Sequence, residues 1–540
     1  MKTIIECVPN FSEGRNQITI DAISDAIINT NGCSLLDVDP GYSTNRTVYT
    51  FVGDKKAIVQ GAFNAAKVAK ELIDMTTQTG EHPRMGAMDV CPFVPVASAT
   101  MEDCIECSKL FAKKASEELG ISFYLYEEAS KKNYRKKLPD IRKGEYEAMA
   151  EKVKTDGWEP DYWSGTYNPK WGVTATGARV FLIAYNINIL APHNQAHRIA
   201  LNLREAGRGE GKEGRLKEIK AMGWQVDEYN MAQITMNLND YKVTPPHIAY
   251  EEAKKDAKEL NIALAGSELI GLIPLEAMLM AADYYIEKEN LFIIDENRKI
   301  KLVIDRLGLN SISQFDPEKR IIEYIIKEEP IEPLASLTLR GFIEEVAART
   351  AAPGGGSVSA TIAGLGTGLG AMVTWLTYGV RKFDSVKDEM KKAIPNLSKA
   401  TQELIPKVDE DTNAFNDYIA SIGLPKKTDE EKAIRINAMQ EGMKKAIMTP
   451  LSIMQIADST WNEMRIAANY GNIASISDLQ VGVRAIELGI WGAYQNVLIN
   501  MSSINDDNWK NDILNQAKIL NDRAVLNSKK ILEILENRNS

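Results

Sequence analysis

Histidine and cysteine are scarce and unevenly spread. The four histidines (His82, His193, His197, His247) and five cysteines (Cys7, Cys33, Cys91, Cys104, Cys107) all lie in the first half of the chain. Proton transfer in the second half, if it is an enzyme, must therefore fall to Asp, Glu, Lys or Tyr. So sparse and odd a cysteine count excludes a disulfide scaffold. The opening residues MKTIIECVPNFSEG lack the long apolar core of a signal peptide, and both facts point to a reducing cytoplasm. Positive charge is in deficit, 64 Lys and Arg against 74 Asp and Glu, which argues against broad attraction to nucleic acid or an anionic membrane. Any anionic ligand must be held by local basic groups. Low-complexity tracts are absent, and 44% hydrophobic with 26% charged residues is the composition of a globular chain, not a disordered one.

One stretch lacks charge altogether. Between Ala351 and Val380 there is no Asp, Glu, Lys or Arg, and Gly364, Gly366, Gly368 and Gly370 form overlapping G-x-x-x-G pairs, as in membrane-spanning helices. Much of the run is Gly, Ala, Ser and Thr, so a tightly packed helix inside a bundle or oligomer core explains it better than membrane insertion.

At 540 residues the chain needs about three or four structural units. Hydrophobic periodicity predicts a strand at Thr3–Val8, a helix at Gln17–Asn29, strands at Cys33–Val38 and Thr47–Val52, a helix at Lys55–Asp74 and a strand at Val90–Val96. That β-α-β-β-α-β order is the ferredoxin-like unit. A helix at Met101–Leu119 and a strand at Ile121–Leu125 extend it, and Lys152–Gly177 reads as a long functional loop. After Arg179 the order recurs, with strands at Val180–Leu190, Gly223–Val226, Ala232–Leu238 and Ile262–Ala265, the last ended by Gly266, and helices at Gln195–Glu205 and Pro246–Leu260. Two α/β layers side by side create a ligand cleft. Lys327–Ser336, with two prolines and three glutamates, reads as an exposed linker, and an all-α bundle follows. The expected division is 1–178, 179–326, a linker at 327–336, and 337–540: two ferredoxin-like α/β subdomains, then a helical bundle.

His82 lies in Gly80-Glu-His-Pro-Arg-Met-Gly86, where flanking glycines allow close ligand approach and Arg84 is near. Asp37, Asp39 and Asp89, at strand ends, are candidate partners for a cationic group. His193 and His197 have metal-binding spacing on a helix, but no Glu follows His193, and Cys104–Cys107 lacks a second pair, so both are read as structural. Pro353-Gly-Gly-Gly-Ser357 opens a helix whose amides can meet an anion, or is simply a turn and cap. Leu397, Thr401, Leu404, Val408, Asp411, Phe415 and Tyr418 recur at steps of four and three, forming one helical seam that a carboxylate interrupts. A buried carboxylate there is a working acid/base or half of a polar pair. Asp409 and Glu410 read as solvated faces.

Glu6-Cys-Val-Pro-Asn-Phe-Ser-Glu-Gly14, Ser43-Thr-Asn-Arg-Thr47, Gly80–Gly86 and Thr174-Ala-Thr-Gly-Ala-Arg179 together resemble the glutamate formiminotransferase family. Ala351–Ser357, Val408-Asp-Glu-Asp-Thr-Asn-Ala-Phe415 and Ser477-Asp-Leu-Gln-Val481 resemble the formiminotetrahydrofolate cyclodeaminase family that is fused to it. The resemblance spans nearly the whole chain in order. It implies transfer of a formimino group from N-formimino-L-glutamate to tetrahydrofolate, then closure to 5,10-methenyltetrahydrofolate with loss of ammonia. It places the transferase histidine on His82, the cyclodeaminase aspartate on Asp411, and a folate loop on Trp163-Ser164-Gly165-Thr166-Tyr167-Asn168-Pro169-Lys170-Trp171-Gly172. Asp39 is expected to orient the amidinium, and Arg84 or Lys170 a carboxylate. Tetrahydrofolate, free or polyglutamylated, is the co-substrate, and neither step requires a metal. The resemblance also implies a homo-oligomer, an octamer in that family. The alternative classes are a non-catalytic folate-binding or scaffold protein, which the presence of His82 and Asp411 disfavours, and a membrane-embedded transporter.

Overall fold

The computed structural model describes residues 3–163, 165–226, 230–326 and 332–539. The chain forms two compact units, Met1–Glu328 and Glu329–Ser540.

In the first unit, β1 (Ile5–Cys7), β2 (Asn10–Phe11), β3 (Cys33–Gly41), β4 (Arg46–Gly53), β5 (Met88–Pro95), β6 (Phe123–Glu127) and β7 (Thr174–Ala178) form one seven-stranded sheet. β1 and β2 follow one another along the same line between β4 and β5, β3 adds to β4 at one edge, and β7 and β6 extend the other edge in parallel. Alternation sorts the faces. Tyr49, Phe51, Cys91 and Phe93 join the core beneath the helices Gln17–Ile28, Lys55–Leu72 and Met101–Leu119. Each helix has a start signal: Asn16 and Asp54 accept N-cap bonds, and Thr100 with Asp103 forms a capping box. The opposite face carries Arg46, Val48, Asn10 and Asp39 in adjoining cross-strand positions.

The second sheet contains β8 (Ile183–Ile189), β9 (Ile219–Val226), β10 (Met231–Leu238) and β11 (Leu264–Ile270), antiparallel in the order β11-β8-β10-β9. Ile183, Tyr185, Ile187 and Ile189 share a core with the helices His193–Leu203 and Pro246–Glu259, and Val52 and Val94 of the first sheet join that core.

The second unit contains only helices among the described residues, chiefly Gly355–Thr377, Lys387–Leu404, Lys407–Ile422, Asp429–Asp458, Trp461–Tyr470, Ile476–Asn500 and Asp507–Asn539. The glycine-rich helix Gly355–Thr377 is long and apolar enough to cross a membrane, but half of its most apolar window is buried within the bundle. Its glycines are not equivalent. A Cβ at Gly366 would lie 2.7 Å from the Gly482 carbonyl oxygen and one at Gly370 2.4 Å from the Met464 sulfur, whereas Gly364 and Gly368 make only ordinary contacts.

Several sequence expectations are corrected. The end of the Lys152–Gly177 loop is β7, a strand between two parallel neighbours with all five residues buried. Such a strand does not alternate, and small residues suit it, since a Cβ at Gly177 would lie 2.2 Å from the Tyr126 carbonyl oxygen. Gly266 does not end its strand: it sits at an irregularity in β11 with φ +122°, a conformation open to glycine, and pairing resumes beyond it. The Leu397–Tyr418 seam runs along two helices, because Pro406 offers no backbone donor to a continuous one. Within the expected linker, residues 327–331 lie outside the described residues, and Leu334 is buried rather than exposed.

A chain ending at Ile326 is expected to fold alone, giving one cooperative thermal transition by circular dichroism. A fragment without that transition would show that the first unit depends on the second.

Candidate active sites

Asp89 on β5 is fully buried. One carboxylate oxygen accepts the Met85 backbone N–H at 3.0 Å, and the other accepts from Arg46 Nη1 at 2.9 Å and from Arg142 Nη2. Arg46 is further fixed by Asn10 Oδ1, which accepts from its Nε and Nη2 at 3.0 and 2.7 Å. Two guanidinium groups on one carboxylate leave local positive charge in a protein of negative net charge.

His82 stands on this cluster. Its Nδ1 is 2.6 Å from the Pro83 carbonyl oxygen, which can only accept, and 2.9 Å from Arg46 Nη1, which can only donate. A proton on Nδ1 serves the carbonyl, so Nε2 is assigned the lone pair, 3.4 Å from the same guanidinium nitrogen. Burial, then the charge of Arg46, pushes the imidazole pKa below its ordinary value, so the neutral ring predominates near pH 7.

The loop that carries His82 is held by Asn45, whose side chain accepts from Gly14 N–H at 3.0 Å and donates to the Thr79 carbonyl at 2.8 Å. Gly80 is required because a Cβ there would lie 2.3 Å from the Thr44 carbonyl oxygen. The expected folate loop meets this loop through a bridge between Gly86 and Gly172. Ser164 lies outside the described residues. Trp163 buries an indole N–H that finds no partner among the described residues. Gly165 turns at φ +86° beside Thr166, and Tyr167 packs on the cluster around Met85 and Tyr124. Asn168 shapes the turn by accepting from Lys170, Trp171 and Gly172 backbone N–H groups, and Pro169 accepts from the Tyr146 hydroxyl. Trp171 is a core residue, 1% exposed, with its indole N–H on Thr174.

The remaining expected residues are dispersed. Asp39 is exposed on β3, opposite Val48, whose other neighbour is Asn10. Arg84 is already engaged by Glu147, Glu145 and Gln78, and Lys170 is 73% exposed, 3.6 Å from Asp74. The cations beside His82 are Arg46 and Arg142. Arg46 lay within a quoted motif, but Arg142, on the five-residue helix Leu138–Arg142, had no periodic or motif signal.

In the second unit, Asp411 approaches the first turn of the glycine-rich helix. A Cβ at Gly356 would lie 2.1 Å from its Oδ1. The Ser357 backbone N–H and hydroxyl support the carboxylate, the hydroxyl at 3.4 Å while it donates to the Val408 carbonyl at 2.7 Å. The anion at this helix N-terminus is thus the chain's own aspartate. Burial raises the Asp411 pKa, with Ser357 opposing, and no cation forms an ion pair with it among the described residues. Asn496 borders the same turn, its Nδ2 3.0 Å from where a Gly355 Cβ would stand.

Asp409 is not a solvated face. It is 4% exposed and accepts the backbone N–H groups of Leu334 and Ala335 at 2.8 and 2.9 Å. Glu410 is exposed and pairs with Lys407. Among the described residues no three His, Cys, Asp or Glu side chains form a candidate metal site. Cys104 and Cys107 are buried thiols whose pKa values burial raises.

Known proteins match along the whole length. Residues 4–179 match the family model described as the formiminotransferase domain, N-terminal subdomain, residues 184–327 the formiminotransferase domain, and residues 338–519 formiminotransferase-cyclodeaminase. The chain is similar to the formimidoyltransferase-cyclodeaminase of Dictyostelium discoideum, 56% identical over 540 residues, and to that of Mus musculus, 49% identical over 539, with 100% of each chain covered in both comparisons. Its first part is similar to the glutamate formimidoyltransferase of Streptococcus pyogenes serotype M1, 41% identical over 291 residues, covering 54% of this chain and 95% of the relative.

Asp409→Ala would strand two backbone donors, each orphan costing about 1–3 kcal/mol, so a lower melting temperature is expected. An unchanged melt would show that Leu334 and Ala335 are held by something else.

Proposed function

The chain belongs to the formiminotransferase-cyclodeaminase family, and on that footing we propose that it couples two reactions at one carbon. The first unit transfers the formimino group of N-formimino-L-glutamate to nitrogen 5 of tetrahydrofolate. The second closes the product to 5,10-methenyltetrahydrofolate and releases ammonia. We assign residues 1–178 and 179–326 to the two transferase subdomains, 327–336 to the linker and 337–540 to the cyclodeaminase. Strand orders β3-β4-β1-β5 and β9-β10-β8-β11 support a ferredoxin-like reading of both layers. The sparse, unpaired cysteines are consistent with a cytoplasmic enzyme. Exposed Leu365, Met372 and Leu376 on the glycine-rich helix support self-association. Folate is the co-substrate, with polyglutamylated forms included.

The neutral imidazole of His82 beside an excess of arginine carries the transferase reading. Attack by nitrogen 5 on the amidinium carbon generates a tetrahedral centre and a proton to be moved. His82 Nε2 takes that proton and returns it to the departing glutamate nitrogen. Arg46 and Arg142 hold a substrate carboxylate in place of the roles expected of Arg84 and Lys170, and Asp39, on the same open face, orients the cationic amidine.

In the second unit nitrogen 10 attacks the same carbon, and ammonia must leave. Asp411, whose raised pKa lets it hold a proton closer to neutrality, gives that proton to the departing nitrogen and is restored by the proton that nitrogen 10 loses. Gly356 leaves the carboxylate room against the helix, and Ser357 aims it. A non-catalytic folate-binding protein would have no need of these two half-buried, differently tuned groups.

His82→Ala should reduce transfer by about a hundred- to ten-thousand-fold while cyclodeamination of supplied 5-formiminotetrahydrofolate continues; full transfer would remove His82 from the mechanism. Because Arg46 depresses the His82 pKa, Arg46→Met should move the acid limb of the transferase pH profile to higher pH. A stationary limb would show that Arg46 does not tune the base.

Asp411→Asn should stop formation of methenyltetrahydrofolate, followed by absorbance, and let 5-formiminotetrahydrofolate accumulate, with an unchanged or raised melting temperature. Normal cyclodeamination in the folded variant would exclude Asp411.

A further inference from the structure

Two helices bring a polar side chain to the first turn of the glycine-rich helix, and only one of the two, Asp411, has been given a role. The helix Ile476–Asn500 lies against the helix Gly355–Thr377 along a line of small residues. A Cβ at Gly489 would lie 2.7 Å from that of Ala363, and one at Gly492 would lie 2.4 Å from the Ser359 hydroxyl. The next residue on that line, one turn further on, is Asn496. It is half-buried and meets Gly355, the neighbour of the Gly356 that faces Asp411. Its own helix fixes its orientation: the Gly492 carbonyl oxygen, 2.8 Å away, can only accept, so Nδ2 is assigned there. Oδ1 is then an acceptor that receives no hydrogen bond among the described residues. Successive residues of a helix point about 100° apart. An acid and a neutral acceptor therefore reach one turn from two sides, with no side chain on Gly355 or Gly356 between them.

We propose that Asn496 is a second catalytic residue of the helical unit, its Oδ1 accepting one N–H of the formimino nitrogen while Asp411 faces that nitrogen from the other side. The inference rests on the cyclodeaminase reading. A lone oxygen acceptor selects a donor, so neither a substrate carboxylate nor a pterin carbonyl suits this position, whereas the amidinium nitrogen carries two N–H groups. The acceptor is also neutral. A second carboxylate here would stabilise the amidinium cation and blunt its carbon as an electrophile, but an amide oxygen orients the group with a weaker interaction. When nitrogen 10 adds to that carbon, the C=N π electrons become a lone pair on the formimino nitrogen. Asn496 still holds one N–H, which turns the lone pair toward Asp411. The Asp411 proton is transferred to it, the C–N bond electrons leave with ammonia, and the proton shed by nitrogen 10 restores Asp411.

The test supplies 5-formiminotetrahydrofolate to the full chain and follows methenyltetrahydrofolate by absorbance, with tetrahydrofolate as the competing ligand because it lacks only the formimino group. Asn496→Ala should raise the KM for 5-formiminotetrahydrofolate by about ten- to a hundredfold, as for loss of a hydrogen bond to a charged group, and should leave the inhibition constant of tetrahydrofolate unchanged. Asn496→Asp keeps an oxygen acceptor but loses the Nδ2 donor to Gly492. It should keep the wild-type KM or lower it, while kcat falls. An Asn496→Ala enzyme with wild-type kinetics would overturn the assignment, and so would a tetrahydrofolate inhibition constant that rises with the KM. An Asn496→Asp protein as impaired in KM as Asn496→Ala, or unable to fold, would make the Gly492 bond the residue's role and overturn it equally. In each of these cases a wild-type chain that forms methenyltetrahydrofolate leaves the cyclodeaminase reading standing. A wild-type chain that never forms it would defeat that reading instead.

Discussion

A carboxylate with no access to water must be neutralised where it stands, and in the first unit that requirement is imposed by Asp89. Its oxygens draw Arg46 from the start of β4, Arg142 from the short helix Leu138–Arg142 and the Met85 amide from the loop leading into β5. Three chain segments far apart in sequence are thereby fixed around one residue. Arg46 then extends the arrangement to Asn10 and His82. The geometry of the histidine is a consequence of the burial of an aspartate that need not touch substrate. Removing one arginine would leave the other on Asp89, so the cluster can lose part of its charge without stranding the carboxylate.

The second unit holds a half-buried carboxylate differently. Asp411 has no ion-pair partner among the described residues and is stabilised by the helix N-terminus, through the Ser357 amide and hydroxyl. Space rather than charge is the limiting quantity here, as a side chain at Gly356 would overlap the carboxylate. Asp409, two residues earlier, lies on another face of the helix and fastens the turn at Leu334–Ala335. Neighbouring aspartates therefore do unrelated work, one spent on two backbone donors and the other left with capacity to exchange a proton.

Legibility from sequence followed the strength of the period. β4 and the helix Lys55–Leu72 have one buried face and one open face, and alternation or a 3.6-residue repeat locates them. β7 was hidden because burial on both sides selects small residues without alternation, and β11 because a glycine at an irregularity resembles a glycine at a stop. The Asp411 seam could be read because its partners recur at helical spacing. Asp409 could not, since its donors are backbone amides at Leu334 and Ala335, 75 and 74 residues away. Arg142 was invisible for a related reason: its role is defined only by the fold that brings a five-residue helix to Asp89. Motifs marked the loops at His82 and Trp163–Gly172, but only the Gly86–Gly172 bridge brings them together.

The two proposed acid/base groups are displaced in opposite directions by one cause. Burial disfavours charge, so it lowers the pKa of a histidine and raises that of an aspartate. Both shifts favour the neutral form, and the neutral forms differ in function: an imidazole without its extra proton accepts one, whereas a protonated carboxyl donates one. The local partners refine this in distinct ways, Arg46 acting with burial on His82 and Ser357 acting against it on Asp411. Each step makes the same two demands, since an incoming amine must lose a proton and a departing one must gain it, so each group has only to begin from the neutral form that its burial favours. The helical unit has no histidine, and the carrier proposed for it is the half-buried Asp411.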